Sequence, residues 1–169
     1  DIVGIELPAG RDTKFALIVE KETIFSKLIL SDFVQTHGPL ILVTAHGYPD
    51  LPTRHFLRLL RDTHPWLPFG CLVDHDVHGF SIAATYVIGP EKTQDGWFMQ
   101  PGDMASFRSE GERKRPEKLL GRLREARDAG KIDNHWCVSL DEMIRRNKQF
   151  ELEAIESLDA FVVDRMTAA

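Results

Sequence analysis

The sequence predicts an α/β domain: a parallel, doubly wound sheet flanked by helices, with a helical C-terminal extension. Three observations carry this. Short apolar runs at 15–19, 40–43 and 69–73 read as strands buried on both faces. Segments with helical spacing separate them, so consecutive strands are joined by right-handed crossovers. At 169 residues the chain is long enough for one sizeable hydrophobic core.

The first run, Phe15-Ala16-Leu17-Ile18-Val19, stops at Glu20. From Glu22 to about Gln35, Ile24, Phe25, Leu28, Ile29 and Phe33 recur at helical spacing, and His37-Gly38-Pro39 ends the helix. Leu40 to Val43 is the second strand, and Gly47-Tyr48-Pro49-Asp50 is a turn. Pro52 lies near the start of the next helix, whose core face is Phe56, Leu57 and Leu60. Arg54, Arg58 and Arg61 line a separate face of it. Phe69 to Val73 is the third strand, and Gly79 to about Val87 a further helix.

Beyond Gly89 the pattern is weaker. Trp97-Phe98-Met99 predicts a fourth strand, and Pro116 to Ala129 a charged helix ended by Gly130. Ser139, followed by Leu140-Asp141-Glu142, predicts a capping box at the start of another helix. The remainder to Met166 reads as a pair of helices, and there is no internal repeat.

Composition is that of an ordinary soluble globular protein, with 43% hydrophobic and 28% charged residues. No apolar run approaches a membrane span, and the N-terminus lacks the basic and apolar regions of a secretory signal. The first residue is not methionine, as expected of a piece of a longer protein. Two cysteines, Cys71 and Cys137, are too few and too far apart for a disulfide framework and read as reduced thiols. A net charge of −5 argues against a nonspecific polyanion binder, without excluding a local basic surface.

The chemistry is concentrated where strands end. All strands of a parallel sheet end at one edge, where ligands bind. Glu20 ends the first strand; Asp74 and Asp76, two apart and sharing a face, end the third. If those strands are neighbours, three carboxylates meet in one cleft, a repulsive arrangement without a cation. Mg2+ suits such oxygen ligands. The competing reading is that each acid caps a following helix, since Asp-x-Asp alone is a weak pattern. Cys71, His75 and His78 cluster in sequence without the spacing of a structural zinc site.

The segments LIVEKETIF, ILVTAHGYPDLPTR and GCLVDHDVHG, in this order and spacing, resemble the Toprim domain of the topoisomerase VI A-subunit family, which includes the meiotic protein that makes DNA double-strand breaks. WFMQPGDM, NKQFELEAI and FVVDRM extend the resemblance over nearly the whole chain. It implies a Toprim (Rossmann-like) core over 15–110, after a lead-in of 1–14 and before a helical part over 111–169. It implies that Glu20, Asp74 and Asp76 bind Mg2+, and that Lys21, Gly47, Tyr48, Asp50, Arg54 and His78 face DNA. The family's pair reads Asp-x-Asp-Pro-Tyr-Gly; here Val77 and His78 stand at the Pro-Tyr positions.

In that family a tyrosine on an N-terminal winged-helix domain attacks a DNA phosphodiester, in a type II topoisomerase-like transesterification. The resemblance places that domain outside this chain, so the catalytic tyrosine is expected there and not at Tyr48 or Tyr86. It further implies three partners: double-stranded DNA, a second copy in a homodimer, and a topoisomerase VI B-like protein. The implied location is the nucleus in a eukaryote and the cytoplasm otherwise. Two rival readings are a phosphoacceptor, receiver-like regulatory domain and a catalytically silent Toprim interaction module.

Overall fold

The structure is a computed structural model that describes residues 4–89, 104–106, 116–146 and 152–167. Four strands form one all-parallel sheet: β1 (Ala16–Val19), β2 (Ile41–Thr44), β3 (Phe69–Val73) and β4 (Met104–Ser106), in the order β2-β1-β3-β4. The helices are α1 (Glu22–Leu30), α2 (Phe33–His37), α3 (Leu51–Thr63), α4 (Val77–Val87), α5 (Pro116–Asp128), α6 (Asn134–Arg146) and α7 (Leu158–Thr167). A 3-10 turn at Leu152–Ala154 precedes α7.

Side chains alternate across the sheet, and the alternation divides the core in two. Ala16 and Ile18 of β1 join Phe69, Cys71 and Val73 of β3 beneath α3, α4, α5 and α6, with Leu57, Phe80, Leu123 and Trp136 among the buried partners. Leu17 and Val19 face the other way with Leu72, against Ile24 and Leu28 of α1, Phe33 of α2, and Leu158 and Val162 of α7. This is why 15–19 and 69–73 read as unbroken apolar runs: each strand is covered on both faces. β2, an edge strand, is only half-buried. α7 comes close enough to β3 that a Cβ on Gly70 would lie 3.2 Å from Met166 Cε and 3.3 Å from Leu17 Cδ1.

Four sequence expectations need adjustment. The helix expected from Glu22 to Gln35 is two helices, α1 and α2. Ser31 interrupts it: its hydroxyl donates to the Leu28 carbonyl (3.1 Å) and accepts the Phe33 N–H (3.2 Å), local bonds that compete with the helical ladder. The helix expected to be capped by Ser139 begins instead at Asn134, where Asp133 Oδ1 accepts the His135 N–H (2.7 Å). Ser139 lies inside it. Gly79 lies in the first turn of α4, not ahead of that helix. A fourth strand exists at 104–106, while the one expected at Trp97-Phe98-Met99 lies outside the described residues.

Candidate metal and nucleic-acid site at the sheet edge

The strand order places the site. From β1 the chain moves outward to β2; from β2 it crosses back over β1 to β3. The crevice at such a reversal, beyond the C-terminal ends of the strands, is where open parallel sheets bind ligands. Here it lies between β1 and β3, paired Val19 with Leu72. Glu20 follows β1 and Asp74 follows β3, so the acids flank the reversal.

Each acid is held by its neighbours. Glu20 is buried, its N–H donates to the Leu72 carbonyl (3.0 Å), and its Oε2 accepts the Asp74 N–H (3.0 Å). Burial pushes the Glu20 carboxyl up to about 7; the Asp74 N–H opposes this, and the charges of Asp74 and Asp76 add to it. Asp74, also buried, accepts the Leu152 N–H on Oδ1 (3.0 Å) and the Lys21 ammonium on Oδ2 (2.9 Å). Asp76 is the N-cap of α4, and its Oδ1 accepts the Gly79 N–H (2.6 Å). The capping reading therefore holds for Asp76, whereas Glu20 and Asp74 cap no helix.

Gly79 has a packing reason. A Cβ there would fall into the Asp74 carbonyl group, 3.0 Å from its carbon and 3.1 Å from the Asp74 nitrogen. Only glycine lets the first turn of α4 lie this close to the strand end, which keeps Asp74 and Asp76 beside Glu20.

Lys21 lies between β1 and α1 and is turned inward. Its ammonium bridges Asp74 and Glu153 Oε2 (2.7 Å), and Glu153 Oε1 accepts the Thr23 hydroxyl (3.1 Å). Partial burial works against the charge on Lys21, but the bonds to Glu153 and Asp74 outweigh it and hold the lysine above its ordinary range. Sequence reasoning assigned Lys21 to DNA phosphate or solvent and overlooked Glu153 altogether. Glu153 lies 132 residues from Lys21 and shares no motif with it, so only the docking of the 152–154 turn reveals it.

The other expected residues form the rim. The Gly47 N–H donates to the Glu20 carbonyl (3.1 Å), and Gly47 sits at φ 112°, a conformation that favours glycine. The Tyr48 hydroxyl donates to Ser81 Oγ (2.8 Å), and its ring meets His78 edge-on at 5.1 Å. Asp50 caps α3 by accepting the Thr53 N–H (2.8 Å), which with the Arg54 charge lowers its pKa. Arg54 Nε and Nη1 are shielded from solvent without a hydrogen-bond acceptor. Arg58 pairs with Asp62 (2.6 Å), and the Arg61 guanidinium lies over the Phe69 ring at 4.6 Å, so both are engaged on their own domain. An open cleft of about 510 Å3, lined by Glu20, Lys21, His46, Gly47, His78 and Glu153 among others, joins the acids to this rim.

The donor set suits a hard divalent cation: carboxylate oxygens keep spare lone pairs even when each accepts one hydrogen bond. Among the described residues, no three His, Cys, Asp or Glu side chains are gathered closely enough to hold an ion as they stand. The positive charge beside Asp74 is supplied by Lys21.

A parallel α/β sheet with one acid after its first strand and an Asp-x-Asp pair after a neighbouring strand defines a Toprim-like domain. Residues 15–96 match the Toprim domain that defines the topoisomerase 6 A-subunit/Spo11 family, and the chain belongs to that family. It is 34% identical over 164 residues to the meiotic recombination protein SPO11-1 of Oryza sativa subsp. indica, covering 85% of this chain and 41% of the relative. It is 41% identical over 81 residues to meiotic recombination protein spo-11 of Caenorhabditis elegans, covering 48% and 19%. Identity to the A3 subunit of DNA topoisomerase 6 from Oryza sativa subsp. indica is 30% over 171 residues, covering 92% and 37%. The chain thus spans about two fifths of the rice proteins' length. Toprim domains generally bind metal ions.

Proposed function

We propose that this chain is the metal-binding part of a topoisomerase 6 A-like protein that makes DNA double-strand breaks, in the manner of the meiotic recombination proteins it resembles. One observation carries the reading: Glu20, Asp74 and Asp76 flank the strand-order reversal, close enough that the two aspartates help push the Glu20 carboxyl up to about 7. Mg2+ is the proposed ion and Glu20, Asp74 and Asp76 its ligands. When bound, it supplies charge neutralisation at a DNA phosphate. Arg54, Tyr48, Gly47, Asp50 and His78 form the proposed DNA-facing rim, with Arg54 offering guanidinium donors to phosphate.

The reaction in the whole protein is transesterification. A tyrosine oxygen, from a winged-helix domain outside this chain, bonds to phosphorus as the P–O3′ bond breaks. The phosphotyrosyl link stays on the 5′ end and the proton ends on the 3′ oxygen. A homodimer would supply one such centre per DNA strand, with a topoisomerase VI B-like protein as further partner and the nucleus of a eukaryote as the location. The receiver-like reading gives way to the Toprim match.

Isothermal titration of the chain with Mg2+ and Mn2+ tests the reading. Saturable binding to the wild type, lost in Asp74→Asn and Asp76→Asn, is the expected result. The silent interaction module keeps one observation in its favour, because Lys21 already neutralises Asp74. An unchanged melting temperature in millimolar Mg2+ would select it.

A further inference from the structure

We propose that Lys21 is a built-in counter-cation that gives up Asp74 when a divalent ion binds, and that Glu153 is the seat which retains it. The inference rests on the metal-binding reading above and adds two residues to it.

The geometry is that of a two-position device. The Lys21 ammonium is 2.9 Å from Asp74 Oδ2 and 2.7 Å from Glu153 Oε2, so one cation bridges two carboxylates. The two seats differ. Asp74 is buried and anchored on its other oxygen by the Leu152 N–H (3.0 Å). Glu153 is exposed, held by Thr23, and opens onto the same cleft. A dication coordinated by Asp74 would lie within a few ångströms of the ammonium, where like charges repel strongly in a partly desolvated site. The flexible lysine stem can swing its charge outward while keeping the shorter of its two bonds. Glu153 therefore lowers the cost of emptying Asp74. Leu152 and Glu153 are adjacent, so the same turn grips both Asp74 and the cation released from it.

Opposite signs follow for two substitutions at one site. Lys21→Met removes the competitor, and the ion binds about tenfold tighter, equivalent to about 1.4 kcal/mol. Glu153→Gln removes the second seat, drives Lys21 back onto Asp74 and weakens binding by about three- to tenfold. In the Lys21→Met background, Glu153→Gln has no further effect, because no lysine is left to seat. Lys21→Arg keeps the charge and stays near the wild-type affinity.

The test is titration of the 169-residue chain and these four variants with Mn2+ and Mg2+, with circular dichroism to confirm the fold. Metal-free melting gives a second readout: Lys21→Met lowers the melting temperature without metal and gains more from added Mn2+ than the wild type does. Equal or weaker binding by Lys21→Met, with wild-type binding intact, overturns the exchange and leaves the metal site standing. A Glu153→Gln loss that persists without Lys21 makes Glu153 a ligand in its own right and also overturns it. Absence of binding in the wild type and in Lys21→Met alike removes the metal reading and this inference together.

Discussion

Gly79→Ala separates two physical effects that disagree in sign. Helix propensity alone favours alanine in the first turn of α4 by about 1 kcal/mol. Against it, the new Cβ would meet the Asp74 carbonyl, and neither partner is a flexible side chain that could step aside. Overpacking of this kind costs about 1–3 kcal/mol, and a backbone obstacle belongs at the upper end. Moving α4 outward also stretches the Gly79 N–H bond to Asp76, whose loss costs a further ~1 kcal/mol. The balance is a destabilisation of about 3 kcal/mol, or roughly 6–12 °C in melting temperature for a chain of this size. Urea unfolding followed by circular dichroism measures it, and titration with Mn2+ shows whether the acids have moved apart. A variant as stable as the wild type, or more so, would refute the packing argument and leave propensity as the governing term.

The pH dependence follows from Glu20. Its carboxyl titrates near 7 in the folded chain against an ordinary 4.5, mainly through burial. Between these values the native state keeps a proton that the unfolded chain has released. Its stabilising contribution is therefore present below pH 4.5 and declines as the pH rises through 7, by on the order of 3 kcal/mol at most. Metal-free Glu20→Gln should melt higher than the wild type at pH 8, with the gap closing by pH 4.5. Asp76→Asn keeps an acceptor for the Gly79 N–H and should hold its stability while losing metal; Asp76→Ala should lose metal and about 1 kcal/mol besides. Unfolding curves paired with titrations distinguish the two. Tyr48→Phe loses one exposed hydroxyl contact, to Ser81, and should change stability by less than about 1 kcal/mol. In a full-length protein it should still form the covalent DNA adduct, seen as a mobility shift on a denaturing gel; loss of the adduct would make Tyr48 the nucleophile.

The core and the acids differ in how far their sequence signals carry. Buried parallel strands announce themselves because both faces must be apolar, and β3 was legible to the residue at Phe69–Val73. Asp74 and Asp76 were legible as a pair because they follow that run directly. The break at Ser31 was not, since Ile29 and Phe33 keep helical spacing across it and the deciding hydrogen bonds belong to a single hydroxyl. Gly79 was noticed for the wrong cause: periodicity and turn chemistry suggest a sharp bend, whereas its role is steric, set by a carbonyl five residues earlier. The partnership of Lys21 with Glu153 left no local trace, because it depends on which surface the last turn of the chain docks against.

The Leu152 N–H that closes on Asp74 comes from a residue 78 positions further along the chain. During synthesis the first three strands leave the ribosome well before that amide exists. Until it arrives, Asp74 lacks one of its anchors and Lys21 has no Glu153 to bridge to. Closing so long a loop is entropically slow, so the acidic centre takes its final form among the last events of folding. A half-made chain therefore carries the carboxylates without the organised site, and the capacity to engage DNA matures only once the domain is whole.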